Sequence, residues 1–291
     1  MKWSFCLNNM IASINKTKEL LNKYNIQAKK RFGQNFLIDA NVVKKITDTA
    51  HIDKNTSVVE IGPGLGSMTE ELCQVAKNVI CFEIDHDMVN ILTNELPFDN
   101  LQIIEKDFLK ANLNEYMSDK SDNNRTIVVS NLPYYITTPI VTKLLKEENV
   151  SEIYVMVQDE VARRLTGTKG SKDYGSLSVL ISYYSIAKYE FKVSRNCFLP
   201  SPNVDSAIVS MKKIKNEHKP NNEAKFLNFV QNIFEMRRKT LINNLLKKYN
   251  IERDKIEEVL LKKGFDKNVR ADCLCLEEIV DIFNELDALH I

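Results

Sequence analysis

The chain has 291 residues, 44% of them hydrophobic, and its 40 basic and 39 acidic side chains leave a net charge of +1, which suits one large domain with a smaller one beside it. Its longest uncharged apolar run falls far short of the roughly 18 residues a membrane helix needs, so neither a membrane anchor nor a signal peptide is expected, and residues 1–9 read as an extension ahead of an equally good start at Met10. Six scattered cysteines form no CxxC pair, and Cys273-x-Cys275 lacks two further ligands nearby, so no metal site is expected and reduced thiols in a cytosol are.

Charge is segregated along the chain. Residues 1–50 carry 9 basic and 3 acidic side chains, 51–211 carry 15 and 22, 212–263 carry 14 and 7, and 264–291 carry 2 and 7. Two basic regions thus flank an acidic centre. They make a phosphate-binding surface if the fold brings them onto one face, and an ordinary lysine-rich surface if it does not.

In chain order, residues 1–28 read as an extension with a helix, and the spacing of Val42, Val43 and Ile46 predicts a further helix over 41–50. From Thr56 onward, β-rich runs alternate with amphipathic stretches, the pattern of a parallel sheet covered on both faces. The strands are expected at 58–61, 79–84, 101–105, 126–129, 153–157, 187–193 and 207–211. The last follows its predecessor too closely for a crossover helix and is expected antiparallel to its neighbour. A helix over 136–145 puts Ile136, Ile140, Val141, Leu144 and Leu145 on one face, with Pro139 in its first turn.

The charged segment 212–222, with Pro220, reads as a linker. Beyond it the periodicity is only helical: 226–234, 241–249, 256–261 and 276–283 make a small domain of about 70 residues. The expected division is 29–213 and 214–291.

Two segments carry the chemistry. Gly62-Pro63-Gly64-Leu65-Gly66 follows the first strand and opens a helix near Ser67, so its glycines allow a tight turn and backbone amides face an anion. The spacing is GxGxG where a dinucleotide fold needs GxGxxG, which disfavours a pyrophosphate-binding dehydrogenase. No histidine among His51, His86, His218 and His290 suits a hydride site either. Glu83 ends the second strand, 21 residues after Gly62, where a carboxylate accepts both hydroxyls of a ribose. Asp107, after the third strand, is placed to accept from an adenine amino group.

The second segment, Asn131-Leu132-Pro133-Tyr134, follows the fourth strand and therefore lies at the same sheet edge. An exocyclic amino group on a purine is a poor nucleophile until it pyramidalises. The Asn131 side-chain oxygen and the Leu132 carbonyl can accept its two hydrogens and favour that geometry. Pro133 stiffens the turn. Tyr134 can stack on the base, worth roughly 1–3 kcal/mol. Together the two segments point to methyl transfer onto a nucleic-acid base, with no strong general base required.

These motifs resemble those of the ribosomal RNA adenine dimethyltransferases, and among them the enzymes of the bacterial small subunit. The resemblance runs from about Lys29 to the C-terminus. It rests on Gly33-Gln34-Asn35-Phe36-Leu37-Ile38-Asp39, on Glu60–Thr69, on Asn131–Tyr134 and on Phe198-Leu199-Pro200-Ser201-Pro202-Asn203-Val204-Asp205-Ser206. It implies a Rossmann-like α/β core of seven strands with a small C-terminal all-helical domain, S-adenosylmethionine as cofactor, and dimethylation of two adjacent adenosines near the 3′ end of 16S rRNA in the immature small subunit. A cytoplasmic monomer without a metal is implied as well.

Carried over position by position, the resemblance implies that Asn35, Leu37, Gly62, Gly64, Glu83, Asp107 and Asn131 hold the cofactor, with Leu37 and Gly62 acting through backbone. Asn131, Leu132, Pro133 and Tyr134 hold the target base, and Phe198 stacks on its other face. Glu60 is expected to brace the loop. The basic candidates for RNA contact are Lys29, Lys30, Arg31, Arg163, Arg164, Arg237, Arg238 and Lys239, the last three of which could instead cap the preceding helix. Two alternatives stand beside this reading: a large-subunit adenine methylase conferring macrolide resistance, whose relatives usually show NIPY and a shorter C-terminal part, and a non-catalytic ribosome-assembly factor that binds RNA.

Overall fold

The computed structural model describes residues 10–26, 34–117 and 125–289. Two compact units divide the chain, one formed by Met1–Ala162 with Lys188–Lys213 and the other by Arg163–Ala187 with Ile214–Ile291.

In chain order the elements are α1 (Ile14–Lys23), β1 (Phe36–Leu37), α2 (Ala40–Thr49), β2 (Thr56–Ile61), α3 (Thr69–Val75), β3 (Asn78–Glu83), α4 (His86–Glu95) and β4 (Leu101–Glu105). Next come β5 (Arg125–Asn131), α5 (Thr137–Lys146), β6 (Glu152–Gln158), α6 (Asp159–Leu165), α7 (Ser176–Tyr184), β7 (Ser185–Val193), β8 (Phe198–Leu199) and β9 (Ser206–Lys213). The helices α8 (Glu223–Ile233), α9 (Leu241–Lys248), α10 (Arg253–Lys262) and α11 (Leu276–Asp287) complete the chain.

The sheet of the first unit has seven strands in the order β4-β3-β2-β5-β6-β9-β7, as many as the alternating pattern predicts. The pairs β2–β3, β3–β4, β2–β5 and β5–β6 are parallel, and β9 runs antiparallel to β6 with Gln158 opposite Ser206. Their apolar runs are continuous because both faces are covered: Val58, Val59, Ile127, Val128, Val155 and Met156 are all fully buried. From β2 the chain builds outward through β3 and β4 and then returns to the other side with β5. Strand order therefore reverses between β2 and β5, and a crevice opens at the carboxyl ends there.

Helix starts follow local capping chemistry. The Asp39 carboxylate accepts from the amides of Asn41 and Val42 at α2, and Asp85 accepts from Asp87 at α4. After the glycine turn the helix begins at Thr69, two residues beyond the expected start, because Gly66 is still in the left-handed region at φ +90°. A pairing that no periodicity predicts joins β1 to β8, with Phe36 opposite Leu199 and Leu37 opposite Phe198.

The second unit is helical around Phe226, Phe229 and Phe283, whose rings lie 5.3–5.5 Å apart in edge-on and tilted pairs. Its boundary differs from the expected one: residues 163–187 cluster with this unit. Val179 and Tyr183 of α7 are buried among Phe226, Ile279 and Phe283, and the Tyr174 hydroxyl donates to the Leu274 carbonyl at 2.9 Å.

Candidate active site

A cleft of about 230 Å³ opens in the first unit at the carboxyl ends of β2, β3, β4 and β5. That is far more than the ~30 Å³ share of one water, so the space is of ligand size. Asn35, Leu37, Gly62, Gly64, Glu83, Asp107, Asn131, Leu132, Pro133 and Tyr134 all line it, so these sequence-predicted residues come together on one rim.

The floor is the glycine turn. Gly64 sits at φ +58°, a backbone hand that favours glycine, and a β-carbon there would press on the Phe36 ring at 3.3 Å. The Gly62 amide donates to the Phe82 carbonyl at 2.8 Å, which ties the turn to β3. Beneath it Glu60 is buried and accepts from the Thr69 hydroxyl at 2.7 Å and from the Cys81 thiol. Burial, opposed by these two donors, pushes its carboxyl up to about 7. Glu60 thus ties β2 to the start of α3 and to β3, and it also lines the cleft.

Glu83 lines the cleft at the end of β3. One of its oxygens accepts from the Gly64 amide at 3.1 Å, and the other from the amides of Ile84 and Asp85 at 2.8 and 2.9 Å. Burial raises this carboxyl while the three amides hold it down. Anchored in this way, Glu83 faces a ligand with fixed acceptor lone pairs. Asp107 caps the short turn Phe108–Lys110 by accepting from Leu109 at 3.0 Å. Lys143, one side of α5, grips that same turn: its ammonium donates to the carbonyls of Phe108, Leu109 and Ala111 and lies 4.9 Å from the centre of the Phe108 ring.

The reacting side is built from β5 outward. Asn131 ends the strand, and its amide nitrogen donates to the Asn35 carbonyl at 3.4 Å. A carbonyl can only accept, so this contact fixes which end of the amide is nitrogen and leaves Oδ1 as an acceptor. The Leu132 amide donates to the Met156 carbonyl at 3.1 Å, while the Leu132 carbonyl carries no hydrogen bond among the described residues. Among the described residues, neither Asn131 Oδ1 nor the Leu132 carbonyl has a hydrogen-bond donor. Pro133 leads into a 3-10 turn at Tyr134–Ile136, and the Tyr134 hydroxyl shares a 2.8 Å hydrogen bond with Ser206. Burial raises the Tyr134 phenol, so it stays protonated.

Phe198 is the one residue of the expected base pocket that the structure places away from the cleft lining. Pairing of β8 with β1 turns its ring inward, where it is 2% exposed among Leu37, Val193 and Ile208, and it is not part of the cleft lining. Tyr135, which sequence reasoning passed over, lines the cleft and is 59% exposed. Lys143 and Ser206 were also missed as contributors. Lys143 gave no signal because its partners are backbone carbonyls, whereas Ser206 stood in plain view as the last residue of the late motif.

Of the basic candidates, Lys29, Lys30 and Arg31 lie outside the described residues. Arg163 and Arg164 are exposed in the last turn of α6, and Arg237, Arg238 and Lys239 are exposed in the turn between α8 and α9, where Arg237 donates to the Ser171 carbonyl at 3.3 Å. All five belong to the helical unit. Among the described residues no cluster of histidine, cysteine and carboxylate side chains could hold a metal.

Comparison with known proteins gives the site its context. Residues 25–288 match the family model described as ribosomal RNA adenine dimethylase. The chain is 43% identical over 288 residues to ribosomal RNA small subunit methyltransferase A of Geobacillus kaustophilus, covering 96% of this chain and 98% of that protein. It is 40% identical over 277 residues to the protein of the same name from Clostridioides difficile, covering 94% and 96%. Among solved structures, a dimethyladenosine transferase from Plasmodium falciparum superposes with TM-score 0.72 at 24% identity, over 86% of this chain and 97% of that one, which bears on the fold alone. The 23S rRNA methyltransferase ErmE superposes with TM-score 0.64 at 26% identity, over 87% and 100%. Matched by its family model almost from end to end, and by relatives of nearly equal length, the chain belongs to the ribosomal RNA adenine dimethylase family.

Proposed function

We propose that this protein dimethylates the exocyclic amino groups of two adjacent adenosines near the 3′ end of 16S rRNA in the immature small subunit, as a cytoplasmic monomer using S-adenosylmethionine. The observation that carries the reading is the pair of unengaged acceptors, Asn131 Oδ1 and the Leu132 carbonyl, set on the same rim as the glycine turn. When bound, S-adenosylmethionine supplies an electrophilic methyl group. The residues present fit it: a turn that holds Gly64 in the left-handed region, a braced carboxylate at Glu83 for ribose hydroxyls, and Asp107 for an amino group.

The protein's part is orientation. Asn131 and Leu132 draw the two amino hydrogens to one side, which releases the nitrogen lone pair from the ring and aims it across the cleft. Positive charge growing on that nitrogen strengthens both bonds, and one proton then leaves to solvent. Tyr134 supplies an aromatic wall, and a base must leave its own stack to reach it. The relatives named for the small subunit, at 40–43% identity, favour that subunit over the large one.

Mapping dimethylated adenines in small-subunit RNA from cells lacking the gene tests this. Unmethylated adjacent adenosines, restored by the intact chain and not by Asn131→Ala, are expected. Normal methylation in the deletion, or transfer only to naked large-subunit RNA with drug resistance on expression, would overturn the reading.

A further inference from the structure

The late segment 198–206 meets Tyr134, a residue of the cleft lining, through its last residue. Ser206 is the first residue of β9, is fully buried, and stands opposite Gln158 at the carboxyl end of β6. Its hydroxyl lies 2.8 Å from that of Tyr134, 72 positions earlier in the chain. Neither hydroxyl has another side-chain partner among the described residues. A tyrosine ring on a short 3-10 turn has two torsions with which to swing, and its only polar handle is the hydroxyl at its tip. Fixing that tip from a strand of the central sheet removes the swing. The inner end of the side chain is set by the turn, where the Thr137 hydroxyl donates to the Pro133 carbonyl at 3.1 Å.

We propose that Ser206 is a positioning residue for methyl transfer, holding the Tyr134 ring at the angle at which it walls the base pocket. The proposal rests on the adenine-methyltransferase reading and adds to it the residue by which the late motif serves the reaction. A base held against a loosened ring presents its amino nitrogen over a wider range of directions. The loss then falls on turnover, because the cofactor contacts are made by other residues of the rim.

The test uses the full chain with Ser206→Ala, Ser206→Thr, Tyr134→Phe and the Ser206→Ala/Tyr134→Phe pair, assayed with tritiated S-adenosylmethionine and immature small subunits. Ser206→Ala and Tyr134→Phe should each lower kcat by about tenfold, with the KM for cofactor changed by less than about twofold. Their combination should be no worse than either alone. Ser206→Thr, which keeps the hydroxyl, should recover most of the loss. Additive losses, or a threonine variant as slow as the alanine one, would overturn the proposal. A second readout needs no reaction: with tyrosine labelled at the ring carbon bearing the hydroxyl, the resonance that disappears in Tyr134→Phe should move in Ser206→Ala and return in Ser206→Thr. An unmoved resonance overturns the anchor itself. Absence of methylation by the wild-type chain would instead sink the functional reading, with the anchor still decided by the spectrum.

Discussion

Glu60 gives the sharpest quantitative test of how this site is held. It is 2% exposed, and among the described residues its carboxyl accepts from the Thr69 hydroxyl and the Cys81 thiol alone, so removal from water dominates and carries it from an ordinary 4.5 to about 7. Below pH 4.5 the group is protonated in folded and unfolded chains alike and leaves stability untouched. Between 4.5 and 7 the unfolded chain releases its proton while the folded chain keeps it, so stability falls as pH rises. Above 7 both are ionised and the full penalty, about 3 kcal/mol, is reached.

Glu60→Gln removes the ionisation and keeps the shape and the acceptor for Thr69. The variant should therefore match the wild type at pH 4.5 and exceed it at pH 8 by about 3 kcal/mol, or roughly 10 °C in melting temperature. Urea or thermal unfolding of the two chains side by side at both pH values measures this, and every other titration is common to both and drops out of the difference. Cofactor binding should run the other way. A sulfonium in the cleft that Glu60 lines favours the ionised carboxylate, so wild-type affinity should rise as pH passes through 7 while that of the glutamine variant stays flat. An equal stability difference at pH 4.5 and pH 8 would refute the reasoning.

Further outcomes follow from the same geometry. Asn131→Ala should lower kcat by about 10²–10³-fold and leave cofactor affinity within about tenfold, since it removes the acceptor and not the cradle; near wild-type methyl transfer to immature small subunits would contradict this. Lys143→Met, which keeps the stem and deletes the three bonds to carbonyls, should raise the KM for cofactor by about tenfold and speed amide exchange over residues 107–111, and unchanged exchange would dismiss the clamp. Phe198→Ala should cost about 3–5 kcal/mol of stability, as a buried ring does, with any loss of RNA use following the loss of folded protein; a stable variant with selectively weakened RNA binding would return the stacking role to it. Arg238→Ala, if its exposed guanidinium meets phosphate, should lower the slope of log affinity for RNA against log salt by about one, and an unaltered slope would remove it from the interface.

What the sequence made legible, and what it hid, follows from the reach of each interaction. The seven strands could be read because a sheet covered on both faces turns each strand into an apolar run, and the acidic and amide side chains at strand ends could be placed because strand direction alone puts them on one rim. The helix α7 was not read because its apolar residues are interleaved with Ser176, Ser178 and Ser182 and line no single helical face, so Val179 and Tyr183 gave no hint that they pack among phenylalanines of the helical unit. The burial of Phe198 was hidden for a related reason. An aromatic residue beside a proline-rich loop fits a stacking role, and only its pairing with Leu37, from a strand more than a hundred residues earlier, decides that the ring turns into the core. The contacts that orient the site are of this long-range kind. The Asn35 carbonyl sets the Asn131 amide, three carbonyls hold Lys143, and Ser206 meets Tyr134 across 72 positions. Residue types at a motif announce which chemistry is available, while the groups that aim them are largely main-chain atoms, which every residue shares and which no motif can therefore distinguish. Substitutions at the aiming residues should accordingly leave the motif itself intact, the Ser206 variant acting on turnover and the Lys143 variant on the KM for cofactor, whereas Asn131→Ala removes an acceptor of the motif itself.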